Sequence, residues 1–196
     1  MRIFARLKGT EQPPEVQQAV SELEDRLPEG WRFVEFRWQL FCRRPVKLSA
    51  CGATAEGPGG RRLLAVSTDE HLGVPAVRGL ADAVEGRAVT SARWAPPLIR
   101  PREDVRGGMP LPEPDTEDEA AARAEALELL PDGASPMNVD SEKFGAVRVY
   151  AVVAQMPNEL GMAGVGLSAA EAWRALAERQ RGELAESAVW FPPMEG

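Results

Sequence analysis

The sequence predicts an α+β protein built from two modules, and three observations support this. Segments with strand-like alternation of apolar residues interchange with segments whose apolar residues recur every three or four positions. Six prolines fall within residues 95–116, a density typical of a linker or an extended arm. The formal charge changes from +3 over residues 1–108 to −10 over residues 109–196. We therefore predict a first module at 1–95, a Pro-rich acidic linker at 96–116 and a second module at 117–196.

Composition narrows the class of protein. The chain has 196 residues, of which 44% are hydrophobic and 27% charged, which suits a globular protein with an ordinary core. No run of residues approaches the ~18 apolar positions that a membrane span needs. The basic residues of Met1–Lys8 argue against a signal peptide, and two cysteines, Cys42 and Cys51, do not make a disulfide framework. We expect a cytoplasmic protein without a membrane partner.

The first module opens with a strand, a helix and a second strand. Residues 2–8 alternate between apolar and mostly basic positions, which indicates a strand. Pro13 and Pro14 suit the start of a helix, whose apolar stripe runs at helical spacing to Leu27 before Pro28 and Gly30 end it. Residues 31–42 are rich in aromatic and β-branched residues and form the strongest strand pattern in the chain.

The remaining elements of the first module complete an order of helices and strands that is typical of one known fold. Five glycines and prolines within residues 52–60 predict a flexible loop, followed by a short buried strand at 63–66. A helix capped by Thr68 or Asp69 is expected to end at Gly86, and a weaker strand at 88–94 ends before two prolines. The order is βαββαβ, which predicts a ferredoxin-like antiparallel sheet with both helices on one face and the other face open.

The second module is predicted as a smaller αβαβ unit. Thr116 and Glu119 form a capping box for a helix that reaches Leu130, and residues 146–154 form a buried strand. A glycine-rich loop at 161–166 precedes a second capping box and a helix that ends near Leu184. Residues 187–191 form a final strand. This module has few strands of its own, so we expect it to pack on the first module or to support a homodimer.

A basic cluster with neighbouring aromatic residues is one candidate binding site. A hairpin between the second and third strands would bring its basic residues together beside aromatic residues of the open sheet face. Arginines and aromatics on an open sheet are how RNA-recognition folds stack bases. The residues assigned to this anion or nucleic-acid site are Trp31, Phe33, Arg37, Phe41, Arg43, Arg44, Lys47, Arg61 and Arg62.

The glycine-rich segment is a second candidate site. Gly161, Gly164 and Gly166 precede Ser168, at the start of a predicted helix whose N–H groups favour an anion. This layout resembles the pyrophosphate loop of N-acetyltransferases, although the basic residue that those loops usually carry beside the glycines is missing and Pro157, Asn158 and Glu159 precede the glycines instead. The spacing differs from both the dinucleotide fingerprint and the P-loop.

Neither a catalytic nor a metal-binding motif stands out. His71 is the only histidine, and the two cysteines lack ligand spacing, so we assign no catalytic residue, metal or cofactor. The leading hypothesis is a non-enzymatic binding or regulatory protein, such as an adaptor, inhibitor or immunity-type protein, that recognises another protein by charge complementarity. The alternative is a single-stranded nucleic-acid-binding protein. A weaker alternative is an acyl- or nucleotide-cofactor enzyme that uses the glycine-rich segment.

Overall fold

The computed structural model of the chain describes residues 13–41, 48–68, 73–99 and 111–194. These residues form a mixed α+β structure with two four-stranded sheets whose described strand pairs are antiparallel. In chain order the elements are α1 (Pro14–Arg26), β1 (Arg32–Phe41), β2 (Leu48–Glu56), β3 (Arg62–Thr68), α2 (Val74–Val84), β4 (Arg93–Trp94), α3 (Glu117–Glu128), β5 (Ser135–Phe144), β6 (Val147–Gln155), β7 (Gly161–Gly166), α4 (Ala169–Gln180) and β8 (Val189–Trp190).

The chain divides into two compact units. Unit 1 takes the described parts of 1–39, 50–91 and 188–196, and unit 2 takes those of 40–49 and 92–187. Compared with the expected boundaries, residues 188–196 therefore join the first unit and the described parts of 92–116 join the second.

Unit 1 contains the sheet order β1-β2-β3-β8. Its core lies between α1, α2 and the sheet face that carries Cys51, Ala53 and Ala65. The helix α1 forms because Pro14 supplies a preset backbone angle at its first turn, while Val16 and Leu23 fall on one buried face. The small side chains of β2 let the helices approach the sheet closely.

Unit 2 contains the sheet order β4-β7-β6-β5. Trp173 and Leu176 of α4 are fully buried against Val152 and Ala154 of β6, together with the alanines of α3. Both helices begin with the capping boxes that the sequence predicts, since Glu119 N–H donates to Thr116 Oγ1 and Glu171 N–H to Ser168 Oγ, each at 3.1 Å.

The finer topology of the first module is not confirmed. The first expected strand, at 2–8, lies outside the described residues, and the strand expected at 88–94 contributes β4, which pairs with β7 of unit 2. The long loop expected at 52–60 is wrong because β2 continues to Glu56, so that the turn shrinks to residues 57–61. The helix α2 begins at Val74 after Gly73, whose φ of 81° and contacts with Phe36 and Cys51 exclude a Cβ.

The two halves of the chain repeat the same arrangement. Each runs helix, three strands, helix and a two-residue strand, and the sheet orders β1-β2-β3 and β5-β6-β7 correspond. The two short strands are exchanged, because β8 pairs with β3 and β4 pairs with β7. Val66 faces Trp190 in the first sheet exactly as Val165 faces Trp94 in the second.

The sequence carries the same repeat. Ten of 22 positions are identical between Ala76–Pro97 and Ala172–Pro193, including Ser-Ala-x-Trp-x-Pro-Pro at the end of each stretch. The turn before each long strand is also repeated, as Leu-Pro-Glu-Gly and Leu-Pro-Asp-Gly, with φ of 83° at Gly30 and 84° at Gly133. The two halves are therefore an internal repeat, in which each residue of Ala76–Pro97 has a counterpart in Ala172–Pro193.

Candidate functional site

A cavity of about 650 Å³ opens at one edge of the unit 1 sheet. Its volume falls within the roughly 300–1,000 Å³ of known ligand sites. It lies beside the start of β3, the end of α2 and the segment that follows β8. The lining residues are Gly59, Gly60, Arg61, Arg62, Leu63, Leu64, Ala83, Gly86, Ala88, Thr90, Phe191, Pro192, Pro193 and Met194.

The cavity exists because β8 is short. It pairs only with Val66 and Ser67, so no described strand pairs with Arg62–Ala65 on this side of β3. Pro192 and Pro193 follow β8 and have no N–H groups to donate, which ends the ladder. An uncovered strand edge presents backbone donors and acceptors to whatever approaches it.

The counterpart of this edge in unit 2 is filled by the chain itself. Arg179 of α4 donates from Nη1 to Pro96 O at 2.6 Å and to Ala163 O at 3.2 Å, and from Nη2 to Glu186 at 2.7 Å. Its side chain is only 7% exposed. Burial lowers the pKa of Arg179, while the neighbouring carboxylate of Glu186 opposes that change.

In unit 2, backbone pairing along this edge of β7 also continues beyond the position of Arg179. Ile99 and Gly161 exchange two backbone hydrogen bonds, of 2.8 and 2.7 Å. Because backbone groups alternate in direction along an antiparallel strand, Ala163 points its N–H and C=O to the same edge. Its counterpart in unit 1 is Leu64, whose backbone groups are therefore directed into the cavity.

Unit 1 lacks an equivalent of the Arg179 side chain, which fills the corresponding space in unit 2. Ala83 stands at the position of Arg179, and Thr90 at the position of Glu186. Both residues line the cavity, as does Pro192, the counterpart of Pro96. The two carbonyl acceptors of the arginine are thus retained in unit 1, whereas the guanidinium and its carboxylate partner are replaced by a methyl group and a hydroxyl group.

Arg61 and Arg62 give the rim of the cavity its charge. Arg61 lies over the ring of Trp31, 5.8 Å from its centre, and Arg62 is 3.4 Å from Glu56. Glu56 also accepts a hydrogen bond from Arg32 at 3.1 Å, and this bond, opposed by partial burial, lowers the pKa of the carboxyl group. Two arginines, Arg32 and Arg62, thus share one carboxylate, and both rim arginines are exposed to solvent.

The structure describes two of the five residues of the predicted basic cluster, Arg61 and Arg62. Arg43, Arg44 and Lys47 lie outside the described residues, in the connection between β1 and β2. Arg61 and Arg62 instead follow the far end of β2, because a strand that the sequence did not predict intervenes. The nine residues of β2 span roughly 30 Å at about 3.3 Å per residue. This length separates Leu48, where the chain enters β2, from Arg61 and Arg62, and the joining of all five basic residues stays a prediction.

The predicted aromatic platform is also placed differently. Trp31 and Phe33 are partly buried and pack against the unit 1 core, and the Trp31 ring lies so close to Gly57 that a Cβ there would be 2.5 Å away. Arg37 forms an ion pair with Glu35 at 2.8 Å. The side chain of Phe41 lies outside the described part of the chain. The site predicted from sequence contributes Arg61 and Arg62 to the cavity rim, with Trp31 beneath Arg61.

The glycine-rich segment is a strand rather than the loop that the sequence predicts. Gly161, Gly164 and Gly166 all belong to β7. A Cβ on Gly164 would lie 2.4 Å from backbone atoms of α4, and one on Gly166 would lie 2.6 Å from Glu171. These glycines therefore bring α4 close to the sheet. Ser168 caps α4 through its hydroxyl, which already accepts the Glu171 N–H.

Sequence reasoning missed the cavity although a signal for it was present. The repeated Ser-Ala-x-Trp-x-Pro-Pro motif aligns the two halves, and the alignment places Ala83 opposite Arg179. An alanine opposite a buried arginine predicts an empty space.

Within the described ranges, no three His, Cys, Asp or Glu side chains are grouped to hold a metal ion, and no helix there is long and apolar enough to cross a membrane. Comparison of the chain with protein-family models, curated proteins and solved structures finds no match.

Proposed function

We propose that this is a non-enzymatic binding protein whose unit 1 cavity holds an extended segment of a partner protein. The observation that carries the proposal is the comparison of the two repeats. In unit 2 the same edge is filled by a side chain and by a backbone pairing of the chain itself. In unit 1 the equivalent space is open, and no strand of the described residues pairs with Arg62–Ala65 beside it.

An extended peptide matches what the cavity offers. Adding a strand to an open sheet edge uses main-chain hydrogen bonds for affinity and adjacent pockets for specificity. Leu64 directs a backbone donor and acceptor into the cavity, and Leu63, Phe191 and Met194 supply apolar surface for side chains. The arrangement needs no reacting group, which agrees with a binding role.

Nucleic acid is the less supported partner. Base stacking requires an accessible aromatic face. Trp31 instead lies between Arg61 and the backbone of Gly57, and Phe33 is packed against the core.

The binding role can be tested with a variant that closes the cavity from inside. Ala83→Arg combined with Thr90→Glu recreates the Arg179–Glu186 arrangement of unit 2 and leaves the net charge unchanged. Val89→Gln is the matched control, because Val89 lies near Thr90 in the chain but is 84% exposed and does not line the cavity. Circular dichroism and thermal unfolding establish that each variant is folded.

The probe is a displayed library of random nine-residue peptides, selected on the full chain and then measured individually by fluorescence anisotropy. We expect selected peptides to bind wild type and Val89→Gln equally, and the closed variant at least tenfold more weakly, since its arginine occupies their place. Selection that yields no binder, or binders with equal affinity for the folded closed variant, would overturn the proposal.

A further inference from the structure

We infer that the segment bound in the unit 1 cavity is acidic, with a carboxylate directed to Arg61 and Arg62. This inference rests on the proposed function and adds the chemistry of the partner. The competing occupant is an arginine side chain, because an arginine fills the equivalent space in unit 2.

The charges around the two spaces decide between these occupants. In unit 2, the buried Arg179 is balanced by Glu186 at 2.7 Å. In unit 1 the position of Glu186 is Thr90, which has no charge, and Arg61 and Arg62 stand at the rim. Among the described residues around this cavity, a guanidinium would meet the same two carbonyl acceptors without a carboxylate and beside two like charges. Removing a charge from water without a counter-charge is unfavourable.

The acceptors of the cavity suit a neutral donor instead. A peptide N–H can donate to the Leu64 carbonyl without introducing a charge, as Ile99 N–H donates to Gly161 O in unit 2. The flanking side chain of such a peptide can then reach the rim, where a carboxylate meets positive charge.

The rim retains positive charge for this purpose. Glu56 is shared by Arg32 at 3.1 Å and Arg62 at 3.4 Å, so one negative charge is divided between two positive ones. Arg61 lies over the ring of Trp31, 5.8 Å from its centre, and this contact does not neutralise its charge. An incoming carboxylate would bring this group of charges closer to neutrality and gain charge-assisted hydrogen bonds.

The test compares pools selected from the same nine-residue library on wild type and on the Arg61→Gln/Arg62→Gln double variant. We expect Asp and Glu to be enriched in the wild-type pool and not in the variant pool. Individual acidic peptides should bind each single variant about threefold more weakly, the scale of one exposed ion pair. Their affinity for wild type should also fall as sodium chloride is raised from 20 to 300 mM, because salt screens exposed charges.

The outcomes separate the two proposals. Peptides that bind wild type, are blocked by the closed variant and show no acidic enrichment would overturn this inference and leave the binding role standing. Enrichment of Arg or Lys would assign the cavity to the competing occupant. Absence of any cavity-dependent binder would refute the binding role and the acidic preference together. Arg62→Lys is the conservative variant, and it should retain the acidic enrichment that Arg62→Gln reduces.

Discussion

Replacing Arg179 with alanine is expected to lower the free energy of unfolding by about 3 kcal/mol. The variant removes a nearly buried guanidinium that donates to Pro96 O and Ala163 O. Hydrogen bonds from a charged donor contribute about 1.5 kcal/mol each at the lower end of their range, which gives the stated total for two. The ion pair with Glu186 adds at most about 1 kcal/mol, because that carboxylate is half exposed. Burial of the charged guanidinium, which lowers the pKa of Arg179, is itself unfavourable. Its removal in the variant therefore offsets part of the lost stabilisation.

The assay is equilibrium unfolding in urea, followed by tryptophan fluorescence and by circular dichroism. Glu186→Gln should cost less than about 1 kcal/mol, because it leaves both carbonyl contacts in place. Arg179→Lys should fall between the two, since an ammonium lacks the planar fork that reaches two acceptors. The reasoning is refuted if Arg179→Ala stays within about 0.5 kcal/mol of wild type, or if Glu186→Gln is as costly as Arg179→Ala.

Two further predictions concern a close packing contact and a titrating group. Gly164→Ala should destabilise the protein by about 3 kcal/mol, because its Cβ would meet backbone of α4 at 2.4 Å and strand and helix would have to separate. Gly182→Ala, with φ of 72° and nothing within 4 Å, should cost only about 1 kcal/mol in the same urea assay, and equal costs would contradict the contact argument. The pKa of Glu56 should lie below its ordinary value of 4.5. The stabilising effect of this carboxylate is therefore present above pH 4.5 and is lost as the pH falls through the lowered pKa. Carboxyl NMR titration should show this midpoint rise in Arg32→Ala, and an unchanged midpoint would count against the Arg32 contact as its cause.

Local patterns were sufficient for the elements with strong local signals. The expected helix opened by Pro13 and Pro14 is observed as α1, and both capping boxes begin helices. The strand expected at 146–154 is observed as β6 at Val147–Gln155. In each case, caps or apolar periodicity act within a few residues, so the sequence alone determines the element.

Strands made of small residues escaped local reasoning. The segments β2 and β7 contain glycine and alanine, whose intrinsic strand preference is low. They are strands because close approach of a helix requires small side chains, as the contacts of Gly164 with α4 show. The polar sequence of β5 was missed for a related reason, since its ladder with β6 is set by the partner strand.

The cavity depends on pairings between distant parts of the chain. No local pattern indicates that Val189 pairs with Ser67, or that Arg93 pairs with Gly166. Recognition of the internal repeat would have supplied the missing information. The repeat aligns the two prolines that follow each short strand, and it places Ala83 at the position of Arg179.

The exchange of short strands has a consequence for how the protein is made. The ribosome releases β1, β2 and β3 long before it synthesises Val189 and Trp190, which complete their sheet. During that interval Val66 of β3 lacks its strand neighbour Trp190, whose Nε1–H donates to Ser91 O at 2.7 Å in the complete structure. The second repeat receives β4 in advance and can close its sheet as soon as β7 emerges. We therefore expect the two repeats to fold in the reverse of their order of synthesis. The second repeat should complete its sheet first, and the first repeat should stay accessible to chaperones until β8 is synthesised.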